Sequence, residues 1–161
     1  MRKILTLLGF ILLLNTSCEK DDFCLQNPVT PNLVLRFYDN INRNTQKQVK
    51  KLSVWALNKD TLALYTSVNQ DSIAIPLNSS DTKTVYLLKI NNVDGNQINN
   101  KIDTLTIDYT PENIYVSRSC GYKVNFNNVT FSSTNSWITE FTPSTLTIID
   151  NQNAAHVQVY H

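Results

Sequence analysis

The chain has 161 residues, a formal net charge of +1, 42% hydrophobic and 17% charged residues. That is length and apolar content for one domain with a real core, and near-neutrality excludes the basic footprint that nucleic-acid binding requires. Only three Gly and five Pro occur, and the patterned runs are filled by Val, Ile, Tyr, Phe and Thr, which favours a β domain over a helical one. In chain order, Met1, Arg2 and Lys3 form a short positive region. The apolar run 4–14, ILTLLGFILLL, has eleven residues, whereas a bilayer core of about 30 Å needs roughly 20. It fits the apolar centre of a secretory signal peptide, residues 1–17. Its removal takes away Arg2 and Lys3, leaving twelve basic and thirteen acidic residues and a net charge of −1.

Small residues Thr16 and Ser17 precede Cys18, and the stretch resembles the lipobox of bacterial lipoproteins, with Asn15 standing where an apolar residue is usual. The resemblance implies acylation of Cys18 and cleavage just before it. The alternative is an ordinary signal peptide with Cys18 as a structural thiol. Multiple acyl chains would hold a water-exposed domain at a membrane without a spanning helix. Lys20, Asp21 and Asp22 follow within a charged stretch that reads as a solvated spacer. The same triplet resembles the export signal of Bacteroidota surface lipoproteins, which implies display on the cell surface. A periplasm-facing anchor at the outer membrane is the alternative.

Residues 18–30 read as the lipidated cysteine and a flexible tether, and 31–161 as a single β domain. Lipidation of Cys18 leaves Cys24 and Cys120 as the remaining pair. In an oxidising compartment they read as a disulfide, with free thiols as the alternative. Neither CxxC spacing nor a nearby His points to a metal. In CGYKVNF, Cys120, Tyr122, Val124 and Phe126 share one parity, which predicts that they face inward.

The predicted strands begin with NLVLRFYD (32–39) and VKKLSVWAL (49–57). Lys47, Lys50 and Lys51 fall at this second run and read as strand-edge lysines that discourage edge pairing. TLALYTS (61–67) follows, then DSIAIPL (71–77), whose Pro76 predicts an edge strand. TKTVYLLKI (82–90) is apolar on both parities and predicts a central strand. The turn at Asp94–Gly95 leads to IDTLTIDY (102–109), with Leu105, Ile107 and Tyr109 inward. NIYVSRS (113–119), GYKVNFNNVTFSS (121–133), STLTIID (144–150) and HVQVY (156–160) complete the set, with Trp137 over one end of the core. So many short strands at this spacing predict an all-β, antiparallel, immunoglobulin-like β-sandwich, with a small β-barrel as the alternative.

No chemistry-bearing motif stands out. His156 and His161, five apart in a strand, fall on opposite faces and do not jointly hold a metal. Asp60, Asp71, Asp81 and Asp103 stand where turns meet strands, as Asp prefers. The loop 94–103 lacks the Gly and Glu placement of an EF-hand. No GxSxG elbow, phosphate loop or HExxH is present, so neither a cofactor nor enzyme activity is expected. The triplets at Asp60–Thr61–Leu62, Asp71–Ser72–Ile73 and Asp103–Thr104–Leu105 resemble the O-glycosylation acceptor of exported Bacteroidota proteins, which makes Thr61, Ser72 and Thr104 candidate acceptors. A turn Asp entering a strand yields the same triplet.

At CEKDDFC, TPNLVLRFYD, DSIAIPL, IDTLTIDY and VSRSCGYKVNF the chain resembles a family of small Bacteroidota lipoproteins of unknown function. The resemblance covers nearly the whole chain. It implies an exported, lipid-held β domain and carries over no activity and no catalytic residues. The expected role is a non-enzymatic binding or assembly module at the outer membrane, with an envelope protein or a glycan as partner. An exposed aromatic row including Tyr38, Tyr65 or Tyr115 would favour glycan or partner binding. The alternatives are an accessory subunit of an outer-membrane complex and, third, a hydrolase.

Overall fold

The computed structural model describes Cys24 and residues 29–91 and 98–161. Cys18, the Lys20, Asp21 and Asp22 triplet and the Asp94–Gly95 turn lie outside the described residues. The chain divides into two compact units, one of Val29–Ile114 with Lys123–His161, the other of Met1–Pro28 with Tyr115–Tyr122.

Among the described residues ten strands form: β1 (Leu33–Tyr38), β2 (Val49–Ala56), β3 (Val68–Gln70), β4 (Ser72–Ile75), β5 (Lys83–Ile90), β6 (Lys101–Ser117), β7 (Gly121–Ser133), β8 (Glu140–Thr142), β9 (Thr145–Ile149) and β10 (Val157–Tyr160). They make a four-stranded sheet, β4-β1-β10-β8, and a six-stranded sheet, β3-β2-β5-β6-β7-β9. Neither sheet closes, so the fold is the predicted all-β sandwich and not the barrel. β1 pairs with β10 in parallel, Leu35 opposite Val157 and Phe37 opposite Val159, the one departure from antiparallel pairing among the registers of β1, β2, β5 and β10 with their neighbours.

Period-two alternation builds the core. Leu33, Leu35 and Phe37 of β1 are buried while Val34, Arg36 and Tyr38 between them are not. The same rhythm turns in Ile73 and Ile75 of β4, Leu105, Ile107 and Tyr109 of β6, and Val157 and Val159 of β10. These side chains join Leu52, Val54, Leu88, Phe126 and Ile149 in one cluster between the sheets. Each fully buried Leu, Ile or Phe contributes about 1.5–3 kcal/mol relative to remaining in water.

DSIAIPL is an edge strand and TKTVYLLKI a central one, as their patterns predict. TLALYTS is not a strand. It forms a single 3-10 turn at Ala63–Tyr65, closed by Tyr65 N–H donating to the Leu62 carbonyl at 2.8 Å. Leu64 is 77% exposed there, so its alternation is decorative. What the segment supplies is the Tyr65 hydroxyl, which donates to the Ala74 carbonyl at 3.1 Å and accepts from the Ala74 N–H at 2.8 Å. Ala74 lies on the edge strand β4, so a phenol occupies backbone groups that would otherwise invite another strand.

IDTLTIDY and the first five residues of NIYVSRS, separated in sequence by Thr110, Pro111 and Glu112, lie in one seventeen-residue strand. Pro111 cannot donate to a ladder. It is tolerated because pairing with β5 ends at Lys83 opposite Asp108, with one further bond from Tyr109 N–H to the Thr82 carbonyl. The short β8, within NSWITEF and after it, has no alternating run long enough to announce it. The inward prediction for CGYKVNF holds for Phe126, which is fully buried, and fails for Tyr122, which is 66% exposed. The parity is local: Tyr122 belongs to the smaller unit, whereas Phe126 belongs to the larger one and joins its core.

Candidate functional site

The alternation that buries Leu105 and Ile107 also carries Asp103 inside, with no exposed surface. Its Oδ1 accepts from the Thr134 hydroxyl at 2.7 Å and the Ser136 N–H at 3.1 Å. Its Oδ2 accepts from the N–H groups of Trp137 at 2.7 Å and Ile138 at 2.8 Å. All four donors are neutral. Burial by itself would raise the carboxyl pKa, but the Ile138 and Trp137 N–H groups, the Thr134 hydroxyl and the Ser136 N–H outweigh it and hold Asp103 below its ordinary range. With its lone pairs committed to donors, the carboxylate organises the 134–138 loop and is a poor general base. The loop in turn seats Trp137, whose Nε1–H donates to the Leu88 carbonyl at 3.0 Å and whose ring packs on Phe37 and His161.

Lysines converge at a different place. The β2–β3 register slips between Val49 and Leu52, and Lys51 adopts φ +48°. A bulge puts one extra residue in the strand, so Lys50 and Lys51 are both exposed instead of alternating. With Lys101, Asn69, Asn91, Ile98 and Asn99 they line a cavity of about 480 Å³. Lys51 N–H donates to Asn69 Oδ1 at 2.8 Å, Asn91 N–H to the Lys50 carbonyl at 2.9 Å, and the Asn91 amide to the Asn99 carbonyl at 3.0 Å. No carboxylate is among these lining residues. A non-glycine residue held at positive φ costs about 1–2 kcal/mol, and such strain gathers at functional positions. The edge-lysine reading of the sequence thus gives way to a bulge that leaves two consecutive lysines exposed and lining one cavity.

In the smaller unit a disulfide joins Cys24 and Cys120, Cα to Cα 4.7 Å, closing a sequence separation of 96. Tyr115 and Tyr122 flank it in sequence, are 59% and 66% exposed, and meet edge to face with ring centroids 5.3 Å apart. The three tyrosines of the predicted aromatic row have separate settings: Tyr38 packs on Tyr160, Tyr65 binds Ala74, and Tyr115 meets Tyr122.

Both histidines are engaged. His156 Nδ1 accepts from the Val34 N–H at 2.9 Å, and its Nε2 lies 2.8 Å from the Asn151 carbonyl, which sets the neutral tautomer protonated at Nε2. Burial lowers the His161 pKa, and the ring packs between Phe37 and Trp137. Among the described residues no three His, Cys, Asp or Glu side chains cluster as a metal site would need.

Of the candidate glycan acceptors, Thr61 is exposed beside the β2 end, Ser72 donates its hydroxyl to the Leu35 carbonyl at 3.0 Å, and Thr104 is half-buried next to buried Asp103. The third triplet therefore has a full structural explanation in its Asp. Sequence reasoning placed Asp103 at a turn. The signal that would have corrected it is its shared parity with Leu105, Ile107 and Tyr109.

Residues 51–161 match the model of a family of unknown function, DUF6452. No curated protein and no solved structure matches the chain.

Proposed function

The chain belongs to this family of unknown function, and we propose that it is a lipid-anchored, non-enzymatic binding or assembly module of the bacterial cell envelope, held at the outer membrane by acylated Cys18 and displayed on the cell surface. The observation that carries the reading is the Cys24–Cys120 disulfide. Structural disulfides persist in oxidising, exported compartments, and these two are the cysteines that lipidation of Cys18 would leave over. The apolar run 4–14 supplies the export signal and the charged stretch after Cys18 the spacer. Thr61, exposed and next to a turn, is the acceptor best placed for a surface glycan.

Cys18→Ala should block both acylation and cleavage, leaving an unlipidated precursor. A cut, released Cys18→Ala protein would refute the anchor. Replacing Lys20, Asp21 and Asp22 by Ala should leave lipidation intact and shield the protein from protease added to whole cells. Equal protection of mutant and wild type would refute surface display while leaving the anchor standing.

The binding part of the proposal is supported by the cavity lined by Lys50, Lys51 and Lys101. Three ammonium groups with amide side chains between them suit an anionic glycan, sulfate or carboxylate against Lys and sugar hydroxyls against Asn. The variant Lys50→Ala, Lys51→Gly, Lys101→Ala keeps the positive φ available at 51. It should be retained on a sulfated polysaccharide resin at low salt roughly tenfold or more weakly than wild type, each exposed charge contact being worth up to about 1 kcal/mol. Equal retention would refute this cavity as the ligand site.

A further inference from the structure

We propose that the Tyr115–Tyr122 pair at the β6–β7 tip is a membrane-contact surface that docks on the headgroup layer of the bilayer in which the chain is anchored. This rests on the anchor reading of Cys18 given above.

Two independent observations meet here. The first is a covalent leash. Cys24 stands six positions after Cys18, and an extended chain spans at most about 3.6 Å per residue, so Cys24 stays within roughly 22 Å of the acylated residue. The disulfide places the Cys120 Cα only 4.7 Å from that of Cys24. The tip between β6 and β7 is therefore confined near the membrane surface whichever way the rest of the chain turns. The second is the tip's chemistry. Tyr115 and Tyr122 are the two most exposed tyrosines of the described chain, 59% and 66%, and their rings support each other at 5.3 Å. Tyrosine has an apolar body and a hydroxyl that wants water, the combination found at headgroup level in membrane proteins.

The leash also removes the need for strong affinity. A short tether gives an effective concentration in the millimolar range, so a contact too weak to recruit a free domain is well occupied once the lipid is in place. The expected function of the contact is to fix the tip against the surface, which a single point of attachment would not do.

The test uses full-length chain expressed in an exporting host, purified in detergent and reconstituted into phosphatidylethanolamine–phosphatidylcholine vesicles, with Tyr122→Trp as reporter. Acyl-chain-brominated lipids quench only indoles that reach the interface. Tyr122→Trp should lose emission in brominated relative to plain vesicles, and the loss should exceed that of wild type, whose own indoles are the buried Trp137 and the half-buried Trp55 of the larger unit. Mass spectrometry of the N-terminal peptide reads Cys18 acylation in the same sample. Acylated Cys18 with no extra quenching overturns the tip contact and leaves the anchor standing. Unmodified Cys18 with no quenching overturns both. Shielding of the tip in detergent that rises with protein concentration assigns it to a second copy and also overturns the proposal. A Tyr115→Ser, Tyr122→Trp variant that loses the quenching, with melting unchanged, supports it further.

Discussion

Asp103→Asn is expected to lower the melting temperature by about 10–20 °C. The side chain is fully buried and receives four hydrogen bonds, two on each oxygen. An Asn amide keeps one acceptor oxygen and turns its NH2 either toward the Trp137 and Ile138 N–H groups or toward the Ser136 N–H and the Thr134 hydroxyl, so at least one buried N–H loses its partner and the remaining bonds lose the carboxylate charge. A buried donor left without its acceptor costs about 1–3 kcal/mol and the charge-assisted share of the other bonds about 1.5–3 kcal/mol, about 3–5 kcal/mol together. At roughly 3–4 °C per kcal/mol for a domain of this size, that gives the stated shift. The effect should depend on pH with a defined sign. The folded carboxyl lies below its ordinary value of 3.8, so its contribution is fully present above that value and is lost as pH falls through the lower, folded-state value. Wild type and Asp103→Asn should therefore differ most near neutrality and converge under strong acid. Thermal melts by circular dichroism at neutral and acid pH measure both. A near-neutral melting shift of only a degree or two would show that the 134–138 loop is held by something else.

Breaking the Cys24–Cys120 bridge should be of similar size. In the chain-entropy model, closing a separation of 96 residues restricts the unfolded state by about 4–5 kcal/mol. The full amount is an upper limit, because the bridge stabilises the sandwich only if global unfolding releases both cysteines together. Cys24→Ser with Cys120→Ser, which avoids a lone reactive thiol, should melt about 5–20 °C below the oxidised protein. Reduction of wild type should give the same curve. Thiol titration of denatured, unreduced protein from the envelope should find no free thiol from this pair. Two free thiols there would remove the bridge, and with it the leash that confines the β6–β7 tip.

Asp103 also shows how far a sequence can be read. Its triplet with Thr104 and Leu105 has two local meanings, a turn Asp and a glycan acceptor, and each places the carboxylate in water. Its parity with Leu105 places it inside. Local spacing cannot choose between them, because the four donors that make burial affordable come from residues 134–138, more than thirty positions away. The lysine cavity was hidden for a related reason. QKQVKKL reads as a basic cluster on a strand edge, and only the slip against β3 leaves Lys50 and Lys51 both exposed.

Alternation over β1, β4, β6 and β10 is a local property of the chain, since successive side chains in a strand must point to opposite faces. The sequence alone therefore determined an all-β sandwich, the identity of most core residues, the edge position of the Pro76 segment and, by cysteine number, Cys24 and Cys120 as the pair. Tertiary structure decided what local pattern does not encode: the parallel β1–β10 pair, the passage of β6 through Pro111, the burial of Asp103, and the outward turn of Tyr122. Each depends on which element lies opposite, and that is fixed by the long-range closure of the two sheets rather than by any residue's neighbours in sequence.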